Sequence, residues 1–237
     1  MKKIDVIIPC LNEEKILNVS INTLRDFLKK NMKGYKYNIT IADNGSKDQT
    51  FEIAKQLSKQ HKEVRAIHLT KRGRGRALKK AWTMSDADIL SYMDVDLSTD
   101  LKSFPAIINA VANTHHIGIG TRLTRNSETK RAFKRDFISK TYNILVKLIV
   151  NTKFSDAQCG FKAINKQTFM ELLPHLKDNE WFLDTEMLTI AEKKGYRIHE
   201  EPVLWIEDTD SRVKIIDTAL KYIRDLIKLR FRLMKIK

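Results

Sequence analysis

At 237 residues the chain can form one large domain, or one domain with an appendage. Its 44 Lys and Arg against 29 Asp and Glu leave a formal charge of +15, which points to an anionic partner: nucleic acid, a membrane surface or a phosphorylated substrate. Cys10 and Cys159 exclude a zinc spacing and a disulfide framework, so a reducing compartment is expected. The first residues do not read as a signal peptide and no run is long enough to cross a bilayer. The expected location is cytoplasmic, peripheral on the cytosolic face of a membrane if membrane-bound at all.

The first half alternates strand and helix. Residues 3–9 predict a buried strand ended by Pro9, and 13–30 show helical spacing through Ile16, Val19, Leu24 and Leu28. A strand over 37–42 runs into the turn Asp43-Asn44-Gly45-Ser46, with Ser46 placed to N-cap a helix through Phe51, Ala54 and Leu57. Residues 64–69 predict a third strand, 75–84 a third helix and 88–93 a fourth strand. Residues 103–111 read as helix and 117–121 as a short strand. Repeated βαβ units imply an α/β fold, a Rossmann-like, mostly parallel sheet flanked by helices. In such sheets ligands bind beyond the carboxyl ends of the strands, and Asn12-Glu13, Asp43 and Asp94/Asp96 all fall there. The turn Pro9–Glu13 has no glycine, and Gly73-Arg74-Gly75 lacks a third, so the dinucleotide fingerprint is absent. A basic, glycine-containing loop beside a nucleotide is the better reading of residues 73–76, with a solvated surface loop as the alternative.

The most pointed feature is Asp94-Val95-Asp96, which closes the apolar run Ile89–Met93. On a strand, residues two apart point the same way. The pair would therefore set two carboxylates on one side, which is unfavourable unless a cation lies between them. Mg²⁺ or Mn²⁺, bridging to a substrate diphosphate, is the expected cofactor, and a solvated loop is the alternative.

The second half is less regular. Arg122, Arg125, Lys130, Arg131, Lys134 and Arg135 crowd residues 122–135. A helix through Ile138, Tyr142, Leu145, Val146 and Ile149 follows, then the stretch Asp156–Lys162, a helix over 183–194 and a strand over 197–203. From Ile215 onward the chain reads as one basic amphipathic helix, with Ile216, Ala219, Leu220, Ile223, Ile227, Phe231 and Met234 on one stripe. The expected division is a catalytic domain over 1–213 and this helix over 214–237.

Several segments together resemble the family 2 glycosyltransferases of the GT-A fold, in particular the polyprenyl-phosphate and dolichyl-phosphate sugar synthases. They are Ile8–Glu14, Ala42–Asp48, Gly73–Ala77, Met93–Ser98, Asp156–Lys162, Phe182–Glu186 and Ser211–Lys214. They run in family order over most of the chain. The Gln158-Cys159-Gly160-Phe161-Lys162 stretch is more similar to the glucose than to the mannose synthases. The resemblance implies inverting transfer of a hexose from a nucleotide sugar, UDP-glucose ahead of GDP-mannose, to a polyprenyl or dolichyl phosphate. It implies that Pro9, Asn12, Glu13 and Asp43 line the nucleoside pocket and that Asp94 and Asp96 hold the nucleotide and metal. Asn44 departs from the family's second Asp, Val95 from its small residue, and Ser98 from the Gln that can add a metal ligand in the mannose synthases.

Chemistry assigns the remaining candidates. A departing diphosphate needs a cation, from the metal and from Arg74 in the 73–76 loop. A phosphate monoester acceptor is ionised at neutral pH and needs no general base. It needs cationic clamps, for which Arg122, Arg131 and Arg135 are the candidates, against the alternative of an ordinary basic surface. Asp184 and Glu186 either orient substrate or serve as helix N-terminal acids. The catalytic set is thus expected to be Asp94, Asp96, Arg122, Arg135 and Asp184. The C-terminal helix, and equally residues 138–150, would meet an anionic membrane surface or pack on the core. A related transferase acting on a glycan hydroxyl would use Asp184 or Glu186 as base. A nucleic-acid-binding protein is suggested by charge alone, with no recognised module, and a nucleotidyltransferase lacks its expected glycine-rich first turn.

Overall fold

The computed structural model of the chain describes residues 1–130, 133–206 and 215–234, with the side chains of 130, 133–135 and 215–220 also outside the description. The first half consists of β1 (Lys3–Cys10), α1 (Leu17–Asn31), β2 (Lys36–Asp43), α2 (Thr50–Gln60), β3 (Val64–His68), α3 (Arg74–Met84) and β4 (Ile89–Met93). β1 pairs in parallel with both β2 and β4, and β2 with β3. Helices cover both faces, so the strands read as near-continuous Ile and Val. Alternation splits them between two cores: Ile4, Val6 and Ile8 pack with Leu17, Ile21 and Leu24 of α1, while Ile7, Leu90 and Tyr92 pack with Trp82 of α3.

Two local expectations are corrected. α1 starts at Leu17, because the Glu13 carbonyl first accepts the N–H groups of Ile16 and Leu17 in a turn, with Asn12 at φ 57°. Ser46 does not cap α2. Its Oγ accepts the Asn12 N–H at 2.9 Å, and Asp48 Oδ1 accepts the Thr50 N–H at the helix start. The hydroxyl thereby ties the end of β1 to the loop after β2.

Beyond β4 come a 3₁₀ turn at Leu101–Ser103, α4 (Phe104–Asn113), β5 (Ile117–Thr121), β6 (Glu128–Lys130), α5 (Phe133–Val150), β7 (Phe161–Asn165), α6 (Lys166–Leu172), α7 (Leu183–Lys193), β8 (Ile198–Pro202), β9 (Leu204–Ile206) and α8 (Ile215–Leu233). The seven-stranded sheet has the order β3-β2-β1-β4-β7-β5-β8, and β6 pairs with β9 beside it. β7 runs antiparallel to both β4 and β5. It is the element whose position bears most on the site, because it sets Lys162 opposite Tyr92.

α8 packs against α5 and α7. Leu226 and Leu229 are fully buried, and Tyr222 and Leu233 lean on the same core. Arg232 donates to the buried Glu186 of α7 and to the His175 carbonyl, each at 2.5 Å. The stripe expected on α8 is a second apolar face: Ile227, Phe231 and Met234 are exposed and Ile223 is half-buried. Ile216, Ala219 and Leu220 lie outside the described side chains. In α5 likewise, Tyr142 and Val146 are buried while Phe137, Ile144 and Leu148 are exposed.

Candidate active site

The parallel pairing of β1, β2 and β4 brings their carboxyl ends to one edge, with Cys10 in register with Asp43. Pro9 and Asp43 stand at those ends. The Asp43 carboxylate is fully buried and lies 2.6 Å from His68 Nδ1 at the end of β3. Asn12 Oδ1 accepts the Lys47 N–H, and the Glu13 N–H donates to Thr50 Oγ1. Asn44, the departure from the family pattern, accepts the Gly73 N–H at 2.8 Å. Its amide anchors the basic loop without adding charge. Gly73 sits at φ 140°, and a Cβ there would come within 2.5 Å of the Asn179 carbonyl oxygen. This loop therefore lies hard against residues 179–180.

Asp94 and Asp96 are placed differently from the strand expectation. β4 ends at Met93, and the pair occupies a turn closed by the Leu97 N–H on the Asp94 carbonyl, with Leu97 at φ 51°. Asp96 is exposed and its Oδ1 accepts the Ser98 N–H. Asp94 is partly exposed, in a cleft shared with Ser98, Thr99, Gly160 and Phe161. Desolvation holds its carboxyl above the ordinary range, Arg74 pulls it down and Asp96 pushes it back up. A Cβ on Gly160 would lie 1.8 Å from Asp94 Oδ2, so the glycine leaves the space that this carboxylate occupies. Two carboxylates over such a cradle fit a hard divalent ion, which takes oxygen ligands. Among the described residues no group of three or more His, Cys, Asp or Glu could hold a metal ion.

Behind Asp94 lies a buried ionic network that the sequence did not disclose. Arg74, the first residue of α3, donates to Asp184 Oδ2 at 2.8 Å and to Asp94 Oδ1 at 3.2 Å. Its guanidinium carbon lies 4.7 Å from the ring centroids of both Tyr92 and Trp181. Tyr92 Oη donates to Asp184 Oδ1 at 2.5 Å, and Lys162 Nζ stands 3.4 Å from that same oxygen. Burial alone would raise the Asp184 carboxyl, but Lys162, Arg74 and the Tyr92 hydroxyl outweigh it and hold it below its ordinary range. A carboxylate so thoroughly engaged has little affinity for a substrate proton. Glu186 is also committed, to the Lys177 and Asp178 N–H groups and to Arg232.

Arg122 follows β5 and grips the fully buried Asp156, Nε to Oδ2 at 2.8 Å and Nη2 to Oδ1 at 3.0 Å. Its bidentate face is thus spent inside the protein, and the guanidinium lies over the Trp205 ring. Arg131 lies outside the described residues, as does the Arg135 side chain. The Arg122 pair holds the Asp156 carboxyl down to about 2, against burial. Because that value is depressed in the folded state, the pair stabilises the protein above the unfolded-chain pKa of 3.8 and the gain is lost as pH falls towards 2. Asp156→Asn is expected to cost about 3 kcal/mol in urea unfolding at pH 7. The difference from the parent protein should shrink as the pH falls from about 4 to about 2.

The mostly parallel sheet, the D-x-D turn at its edge and the ionic network behind it fit a GT-A-type glycosyltransferase. Residues 5–173 match the glycosyl transferase family 2 description, and the chain belongs to that family. It is 34% identical over 224 residues to glycosyltransferase AglD of Haloferax volcanii, covering 92% of this chain and 35% of that protein. The chain thus spans about a third of that relative. It is 29% identical to the human dolichyl-phosphate beta-glucosyltransferase (98% of this chain, 76% of that one) and 28% identical to the Dictyostelium discoideum dolichyl-phosphate beta-glucosyltransferase (97% and 74%). Among solved structures, Mycobacterium tuberculosis glucosyl-3-phosphoglycerate synthase in complex with Mn²⁺, UDP-glucose and phosphoglyceric acid matches with a TM-score of 0.72 at 15% identity. That match covers 98% of this chain and 79% of that chain and shows the shared fold.

Proposed function

We propose that this chain transfers glucose from UDP-glucose to a dolichyl or polyprenyl phosphate, with inversion at the anomeric carbon. The observation that carries this reading is the state of Asp184. A hydroxyl acceptor needs a base, and the two carboxylates that the sequence offers for that role, Asp184 and Glu186, are both tied up. A phosphate monoester, with a second pKa of about 6, brings its own negative oxygen. That oxygen attacks the anomeric carbon opposite the leaving group. The new C–O bond forms as the bond to the UDP oxygen breaks, and the electron pair departs with UDP. The relatives named dolichyl-phosphate beta-glucosyltransferases point to the same acceptor.

On this reading Pro9, Asn12, Glu13 and Asp43 receive the nucleoside, and Arg74 faces the diphosphate. Asp94 and Asp96 would hold Mg²⁺ or Mn²⁺, which neutralises charge on the departing diphosphate when bound. The acceptor phosphate is clamped from the 122–135 segment by Arg131 and Arg135, with Arg122 offering at most its remaining nitrogen. Supplying UDP-glucose or GDP-mannose with dolichyl phosphate and identifying the lipid product tests the proposal. Glucosyl phosphoryl lipid is expected, and a glycan product or a mannosyl lipid alone would refute it.

A lipid acceptor calls for a membrane surface, and the exposed faces of α5 and α8 suit one. Phe137, Ile144 and Leu148 on α5 and Ile227, Phe231 and Met234 on α8 are accompanied by exposed Lys140, Lys147, Arg224 and Lys228. Apolar residues entering the headgroup layer beside cations that meet anionic lipids make an interfacial anchor. No helix among the described residues is long and apolar enough to cross a membrane. The buried face of α5 packs beside the site, where Tyr142 bonds Thr185, next to Asp184, at 2.7 Å. Because Leu226 and Leu229 are core residues, point changes test it better than deleting the helix. Leu148→Glu with Phe231→Glu is expected to cut co-sedimentation with anionic vesicles at least about tenfold at unchanged thermal stability. Retained binding would refute the assignment.

A further inference from the structure

Arg74 is held in an unusual way for a residue beside a metal-binding pair. Its guanidinium is walled by two aromatic rings, tied at one end to the buried Asp184 and at the other to Asp94 Oδ1. The side chain is 8% exposed. Both terminal nitrogens have carboxylate partners, whereas the buried Nε has none among the described residues.

A divalent ion held by Asp94 would share that carboxylate with a guanidinium already 3.2 Å from its Oδ1. Two like-charged groups so near each other compete for it. A nucleotide diphosphate reverses the relation, since its several negative charges can accept both cations, and an oxygen placed beside the loop could also take the orphaned Nε–H. We infer that Arg74 is a built-in counter-cation for Asp94, one that keeps divalent metal off the free protein and becomes a partner of the metal once a nucleotide diphosphate is bound. The inference rests on the reading of Asp94 and Asp96 as the metal-holding pair. It makes Arg74 the origin of a coupling in which metal and nucleotide enter together. Trp181, half-exposed over the guanidinium, closes the outer wall of this device.

The test is Mn²⁺ binding followed by the electron paramagnetic resonance signal of the free ion, with and without UDP, on the full chain. The parent protein should bind Mn²⁺ weakly alone and much more tightly with UDP. Arg74→Met is expected to tighten Mn²⁺ binding without UDP by about tenfold and to weaken UDP binding in the presence of Mn²⁺ by a similar factor. Arg74→Lys, which keeps the charge, should stay near the parent for Mn²⁺ alone. If Arg74→Met does not fold, the double variant Arg74→Met/Asp184→Asn removes both members of the buried pair and should show the same tightening. Unchanged or weaker Mn²⁺ binding in a folded Arg74 variant, with normal Mn²⁺ binding by the parent in UDP, overturns the counter-cation role alone. A parent protein that binds no Mn²⁺ even with UDP overturns the metal-holding assignment itself, and the inference with it.

Discussion

Gly160→Ala is expected to lower kcat/KM for sugar transfer at least about 100-fold while leaving the fold in place. The single added carbon would lie 1.8 Å from Asp94 Oδ2 and 2.5 Å from Asp94 Cγ, so it and the carboxylate cannot both keep their positions. Gly160 is not at a positive φ, and alanine there carries no backbone penalty of the kind that Gly73 would suffer. The partly exposed Asp94 side chain has room to swing away. The backbone bond from the Asp94 N–H to the Gly160 carbonyl, 3.2 Å, stays. The cost therefore falls on the orientation of the carboxylate proposed to face the metal and the diphosphate. Steady-state kinetics beside a thermal melt separate the two effects. Near-normal turnover would mean that the position of Asp94 does not matter to the chemistry.

Asp184→Asn is expected to lose about 3–5 kcal/mol of stability as well as activity. One neutral amide would face Arg74, Lys162 and the Tyr92 hydroxyl, leaving two buried cations short of their counter-charge. Adding Lys162→Met removes one of those cations and should recover much of the stability. It should not recover turnover, because Arg74 would still lack the rigid anchor that aims it at Asp94. If the single change lost activity at unchanged stability, and the acidic limb of the pH–rate profile disappeared with it, Asp184 would be acting as a base. The hydroxyl-acceptor reading would then return.

The first half of the fold was legible because parallel strands covered on both faces leave unbroken apolar runs, and their ends mark the site. Asn12, Asp43 and Asp94 reached one edge for that reason. The strand β7 was not legible. Its five residues, Phe161–Asn165, include a lysine that periodicity assigns to a surface, yet Lys162 is fully buried because Tyr92 and Asp184 satisfy it. Arg122 shows the opposite limit. Its position in a basic cluster suggested an open clamp, and only the three-dimensional pairing with Asp156, thirty-four residues on, revealed a committed side chain. The two-faced character of α8 was hidden by the choice of one stripe. Tyr222, Leu226, Leu229 and Leu233 follow the same helical spacing on the adjoining face, and burial alone tells the faces apart.

The most direct test of the whole account is turnover of UDP-glucose with dolichyl phosphate by the parent chain and by Asp94→Asn/Asp96→Asn, with the lipid product identified. The account predicts a glucosylated lipid phosphate from the parent and at least about a 1,000-fold slower reaction from the double variant. Lipid glucosylation undiminished by that double change would contradict it.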